Sequence, residues 1–124
     1  MRYSYVLNHG IKIIIVKVIG DLHTNDVAKM DKEIRIKAKE LNYKIIFDFR
    51  ETKNYISISD AYNWFSNNYK NSFFNLCFIP VVKISNEKDK SFFQFFETTM
   101  INRGVNVKMC ADEISAYHWL ENID

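Results

Sequence analysis

Proline occurs once in the 124 residues and glycine three times. So few breakers exclude a flexible linker, a collagen-like repeat or a low-complexity tail, and they suit packed elements joined by short connections. Cysteine is scarce as well. Cys77 and Cys110 form no Cys-x-x-Cys pair and share no zinc-like spacing with a histidine, so neither a disulfide framework nor a metal site is indicated. Both fall at or near predicted buried strands, where a thiol packs as a small core residue. The longest apolar run, Ile13 to Val16, is far short of the roughly 20 residues that span a bilayer. The alternating start from Met1 to Asn8 lacks the pattern of a signal peptide. A soluble, cytoplasmic protein without stable membrane insertion is expected.

An excess of one charge is missing too. Seventeen Lys and Arg oppose fifteen Asp and Glu, for a net charge of +2. The basic residues are spread along the chain, with no basic run and no basic helical stripe interleaved with stacking aromatics, so nucleic acid is not an expected partner. What remains is an ordinary globular composition, 48% apolar and 26% charged, with ten Phe and seven Tyr. A chain of this length buries a core without disulfides or metal.

Along the chain, Arg2 to Leu7 alternates and meets the turn signal Asn8-His9-Gly10, and Ile11 to Ile19 follows as a longer strand. The two read as an antiparallel hairpin. Lys12 and Lys17 fall on opposite pleat faces, so at least one lies near an end or an edge. Thr24 is the expected N-cap of a helix running to about Glu40. Its apolar stripe is Val27, Met30, Ile34, Ala38 and Leu41, and its charges, among them Asp31, Lys32, Glu33 and Arg35, belong to a solvated face. Asn42 stops it. Lys44 to Glu51 is a central strand, apolar on both faces, as a covered parallel strand is.

Thr52 to Ser57 reads as a loop, and Ser59-Asp60 opens a second helix through about Tyr69, with Ala61, Trp64 and Phe65 inward. Phe78 to Ile84 is a buried strand, irregular at Pro80, which has no amide to donate. Lys88 to Arg103 is the third helix, with Phe92, Phe93, Phe96 and Met100 facing the core, Phe95 on the flank and Gly104 just past the end. Val105 to Cys110 is the last strand. Asp112 caps a final helix whose inward residues are Ile114, Tyr117, His118 and Leu120. The order β-β-α-β-α-β-α-β-α predicts one α/β domain over residues 1–124: a mostly parallel five-stranded sheet with an N-terminal antiparallel hairpin and right-handed crossovers.

This order, with Ile-Gly-Asp-Leu at Ile19 to Leu22, Ile-Ile-Phe-Asp-Phe-Arg at Ile45 to Arg50, and the closing stretch Gly104 to Leu120, resembles the STAS / SpoIIAA-like superfamily, the anti-sigma-factor antagonists and their relatives, in its bacterial branch. The resemblance implies a right-handed β-α superhelix and a binding role rather than catalysis. Phosphoregulated members carry Asp-Ser-Ser/Thr-Gly at the start of the helix after the central strand. Here the stretch is Tyr55-Ile56-Ser57-Ile58-Ser59-Asp60, without the leading Asp or the Gly. Ser57 and Ser59 are the nearby hydroxyls on which a phosphoswitch would act, and a phosphate there would be favoured by free helix amides. Ser59 is equally explained as an N-cap.

The remaining polar candidates are Asp21, Asp48 and Arg50. Asp48 lies in an apolar strand and needs a partner, either loop or helix amides or a cation such as Arg50. A receiver domain would need an acidic pair after the first strand, which Asp21 alone does not make. A catalytic reading would recruit Cys110, Asp112 and His118, or His23 with Asp21, but no nucleophile elbow, phosphate loop or His-Glu-x-x-His is present. No enzyme activity and no cofactor are expected. Besides a Ser-phosphorylated anti-sigma-factor antagonist, which the resemblance implies as a further alternative, two functions are expected: a binding module acting through a protein partner or as a homodimer, and a carrier or sensor of a small apolar, lipid-like ligand. Trp64, Phe65, Phe92, Phe93 and Phe96, with Phe73 and Phe74 nearby, would form an interface in the first and line a pocket in the second.

Overall fold

The computed structural model describes residues 1–68, 76, 78–102 and 104–123, with the backbone alone for 65–68. Five strands form one sheet in sequence order: β1 (Arg2–Asn8), β2 (Ile13–Leu22), β3 (Lys44–Asn54), β4 (Val81–Ile84) and β5 (Val107–Cys110). β1 is antiparallel to β2, and every later pair is parallel. The helices are α1 (Thr24–Leu41), α2 (Ile58–Asn68), α3 (Lys90–Ile101) and α4 (Glu113–Glu121). This is the predicted α/β order.

The pleat sorts the core into two layers, because successive side chains point to opposite faces. Ile14, Val16, Val18, Ile45, Phe47, Phe49, Val81 and Val107 pack with Met30, Ile34 and Ala38 of α1 and with Phe93 and Met100 of α3. Ile13, Ile46, Val82 and Ile84 pack on the other face with Ala116 and Leu120 of α4. α2 sits against α1 and α3. The expected α1 stripe is therefore the core stripe, and Asn42 ends that helix in the left-handed conformation (φ 60°), which asparagine tolerates.

Several boundaries differ from the sequence expectation, each for a local reason. His23 rather than Thr24 occupies the N-cap position of α1, and its side chain makes no capping bond. β3 continues through Asn54 instead of ending at Glu51, because β2 runs beside it and pairs Gly20 with Thr52 and Leu22 with Asn54. The ladder shifts register between Lys17–Asp48 and Ile19–Glu51, a β-bulge that places two residues of β3, Phe49 and Arg50, opposite Val18. The bulge resets the alternation, so Phe49 and Thr52, three apart, are both buried. β4 starts only at Val81. Pro80, lacking an amide, stays outside the strand and contributes only its carbonyl, which accepts from Ile45 N–H at 3.0 Å.

The final helix is capped as predicted: Asp112 Oδ1 accepts from Ser115 N–H at 2.7 Å. Its inward face is not the predicted one. Ile114 is 82% exposed and His118 is exposed, while Ala116 and Leu120 are buried and Tyr117 is half-buried. Docking on β4 and β5 selects the 116/120 stripe, which lies round the helix from 114/118. Cys77, Phe73, Phe74, Tyr69, Arg103 and the side chain of Phe65 lie outside the described residues.

Candidate functional site

The parallel strands β2 to β5 all end on the same side of the sheet, where open α/β sheets place their ligands. Three elements converge there. His23 stacks on Tyr55, with ring centroids 5.3 Å apart and planes 12° from parallel. Asn54 N–H donates to Asp89 Oδ2 at 3.0 Å, and the Asn86 side-chain amide donates to Thr52 O at 2.8 Å. These bonds fasten the start of α3 to the end of β3. They set the width of a cleft beneath α1, α2 and α3.

That cleft encloses about 70 Å³ and is partly open. Its walls are aromatic and aliphatic: Leu22, Phe47 and Phe49 from the sheet, Trp64 from α2, and Phe92, Phe93 and Phe96 from α3. Phe49 stacks on Phe93 at 5.2 Å, and Phe92 meets Phe93 edge-on at 5.4 Å. Among the described residues, three charged side chains, Asp31, Arg35 and Lys83, line this mainly apolar space, with Thr24 and Asn54 as its other polar lining. Arg35 is 4% exposed, although its place among the charges of α1 predicted a solvated face. It is buried because both its needs are met: Nε donates to Asp31 Oδ2 at 2.9 Å, and Nη1 donates to Leu76 O at 2.9 Å.

Lys83 has no such arrangement. It is 8% exposed, and its Nζ lies 4.4 Å from the centroid of the Phe96 ring. Among the described residues it makes no hydrogen bond and no ion pair. Desolvation, partly offset by the Asp31 charge and reinforced by Arg35, brings its pKa down to about 8. It is still mostly an ammonium at neutral pH.

On the opposite face of the sheet, Asp48 and Arg50 form a separate polar cluster. Asp48 accepts from Arg50 Nε at 3.0 Å and Nη2 at 2.8 Å, and Arg50 Nη2 also reaches Glu113 Oε1 at 2.9 Å. Burial pushes the Asp48 carboxyl up, but the hydrogen bonds and charge of Arg50 outweigh it and hold the group below the usual range. The same bonds raise Arg50 further. Asp21 is exposed at the end of β2 and joins no hydrogen bond or ion pair among the described residues.

Of the two serines, Ser57 is the helix cap. Its Oγ accepts from Asp60 N–H and its carbonyl from Ala61 N–H, each at 3.0 Å. Ser59, predicted as the cap, lies exposed within the first turn of α2. Cys110 is half-buried and burial pushes its thiol up, and Asp112 is engaged as a cap. Among the described residues, no three His, Cys, Asp or Glu side chains gather as a metal site, and no helix is long and apolar enough to cross a membrane.

The aromatics divide by position. Trp64, Phe92, Phe93 and Phe96 line the cleft. Phe95 is 48% exposed and shares a shallow apolar depression with Ile58, Tyr62 and Thr99. Sequence reasoning passed over Lys83 and misplaced Arg35. One signal was available for each: a lone lysine inside an otherwise apolar strand, Val81-Val82-Lys83-Ile84, and an i,i+4 Asp31–Arg35 spacing beside the core stripe.

The chain is similar to the solved structure of the anti-sigma factor antagonist SpoIIAA in its unphosphorylated form. The TM-score is 0.55 at 13% sequence identity, over 98% of this chain and 100% of that one. The likeness is one of fold: the sheet and helix order of this chain are SpoIIAA-like. No family model matches the sequence, and no curated protein does.

Proposed function

We propose that this chain is a non-enzymatic binding module that works in the cytoplasm by contact with another protein, in a regulatory role. The observation that carries the reading is the joint surface of α2 and α3, where Ile58, Tyr62 and Phe95 are each roughly half exposed around one depression. Single exposed apolar residues are common, but a contiguous set is the mark of a contact surface. The fold supports the reading, since the similar solved structure is named for acting against a protein antagonist of a sigma factor. The polar groups also favour binding over catalysis: Asp48 is engaged by Arg50, Asp112 by the α4 backbone, and His118 is exposed.

The test compares proteins that co-purify with the wild type, with a Tyr62→Asp/Phe95→Asp double variant, and with Ile114→Asp on the far side of the molecule. A partner retained by Ile114→Asp and lost by the double variant supports the module. A set of co-purifying proteins unchanged across all three refutes the surface.

A second reading is favoured by the cleft itself: a carrier or sensor of a small apolar ligand. Its walls are the aromatics that a ligand pocket needs, and Lys83 lies among them over the Phe96 ring with no hydrogen bond or ion pair among the described residues.

A further inference from the structure

Lys83 is the least satisfied charge in the molecule's described interior. A buried ammonium needs a counter-charge or several acceptors, and lacking them it destabilises the folded state. The Phe96 face at 4.4 Å offsets only part of this. Asp31, the nearest carboxylate lining the cleft, is already bound to Arg35. Among the described residues, two cations and one anion therefore line a mainly apolar cleft, which leaves it one positive charge in excess.

From this geometry we infer that the cleft takes an amphiphile with a single carboxylate head, such as a medium-chain fatty acid, and that Lys83 Nζ binds the head. The inference rests on the reading of the cleft as a ligand site and names the ligand's chemistry. Size and shape fit it. The enclosed 70 Å³ is about half of the ~150 Å³ engineered cavity that takes up benzene, enough for a carboxylate and the first carbons of a chain. The cleft is partly open, so the rest of the chain need not be enclosed. A carboxylate is preferred to a neutral head because it neutralises the ammonium and accepts its N–H hydrogen bonds, a charge-assisted pairing within mainly apolar walls. A dianionic phosphate is disfavoured because Asp31 lies in the same cleft.

The test is calorimetric titration of the full chain with decanoate and, separately, with decanol, each below its aggregation limit. It is repeated on Lys83→Met, which keeps length and apolar character and removes a buried charge. Decanoate should bind the wild type about tenfold or more tighter than decanol, the ratio expected for one buried charged hydrogen bond. In Lys83→Met the two should bind alike, with decanol unchanged. Equal binding of both by the wild type, or a decanoate preference that survives Lys83→Met, overturns the role of Lys83 while the apolar pocket stands. Binding of neither by the wild type overturns the ligand reading as a whole. The comparison of the two ligands on the wild type needs no substitution, so it stands even where a variant folds poorly.

Discussion

Asp48 and Arg50 hold each other across the β-bulge of β3. Asp48 Oδ1 accepts both the backbone N–H and the Nε–H of Arg50 at 3.0 Å, while Oδ2 accepts Nη2 at 2.8 Å. A bulge leaves backbone groups out of the ladder, and here side chains take them up: Asp48 binds the Arg50 amide, and Thr52 Oγ1 donates to Phe49 O at 2.8 Å. A carboxylate in an apolar strand is thus a device for shaping the strand. Beyond the bulge the facing of β3 changes, so that Thr52 is buried while Arg50 reaches Glu113 of α4.

Asp48→Ala should therefore destabilise by about 2 kcal/mol, since it strands a half-buried amide and the guanidinium together. Glu113→Gln should cost less than about 1 kcal/mol, because that pair is exposed and screened. Urea unfolding at pH 7 checks both. The folded Asp48 carboxyl lies below its ordinary 3.8, so its contribution is present above that pH and is lost as pH falls through the folded value. Asp48→Asn should flatten this acid limb.

Ser57 and Ser59 separate cleanly. Ser57→Ala removes the α2 cap and should cost about 1 kcal/mol, with Ser57→Asp restoring most of it. Ser59→Ala should be within about 0.5 kcal/mol of wild type, as an exposed substitution is. Thermal unfolding of the three variants decides it, and a larger loss at Ser59 would contradict the capping assignment.

Phe93 and Phe95, two apart on α3, should behave oppositely. Phe93 is 3% exposed and stacked on Phe49, so Phe93→Ala should cost about 3–5 kcal/mol. Phe95→Ala should leave stability within about 0.5 kcal/mol of wild type and act on partner binding alone. Denaturant titration of each variant checks the contrast.

Lys83 gives stability an uncommon pH dependence. Its folded value is about 8 against 10.5 for the free side chain. Between these limits the unfolded chain binds more protons than the folded one, so stability should rise as pH goes from about 8 towards 10. Tyr3 works the other way at higher pH: its hydroxyl donates to Glu33 and is pushed up to about 12, so stability should fall again above 10. In Lys83→Met the rise should vanish, and the urea midpoint at pH 7 should equal or exceed that of wild type.

The element order was legible because strands and helices carry different periods and because specific residues punctuate them. Asn42 turns left-handed where a helix stop was expected, and Asp112 caps α4. The bulge was not legible. The two-faced apolar pattern of Lys44 to Glu51 does not reveal that β2 continues alongside, and that pairing is what extends β3 and buries Thr52. Serines two residues apart are chemically equivalent as caps in sequence, so Ser57 and Ser59 could be ordered only by hydrogen bonds. Trp64, Phe92, Phe93 and Phe96 were legible as a group, but their separation from Phe95 depends on how α3 is rotated. Arg35 and Lys83 were hidden for the same reason: a charge is read as solvated until the structure shows what covers it.

The most direct test of the account is site-specific photo-cross-linking from position 62 of the full chain at its native level in its own cells. The account predicts one discrete adduct with another protein, abolished by Phe95→Asp and absent when the cross-linker is moved to position 114. Cross-linking from position 62 that yields no protein adduct, while the chain is folded and present, would contradict it.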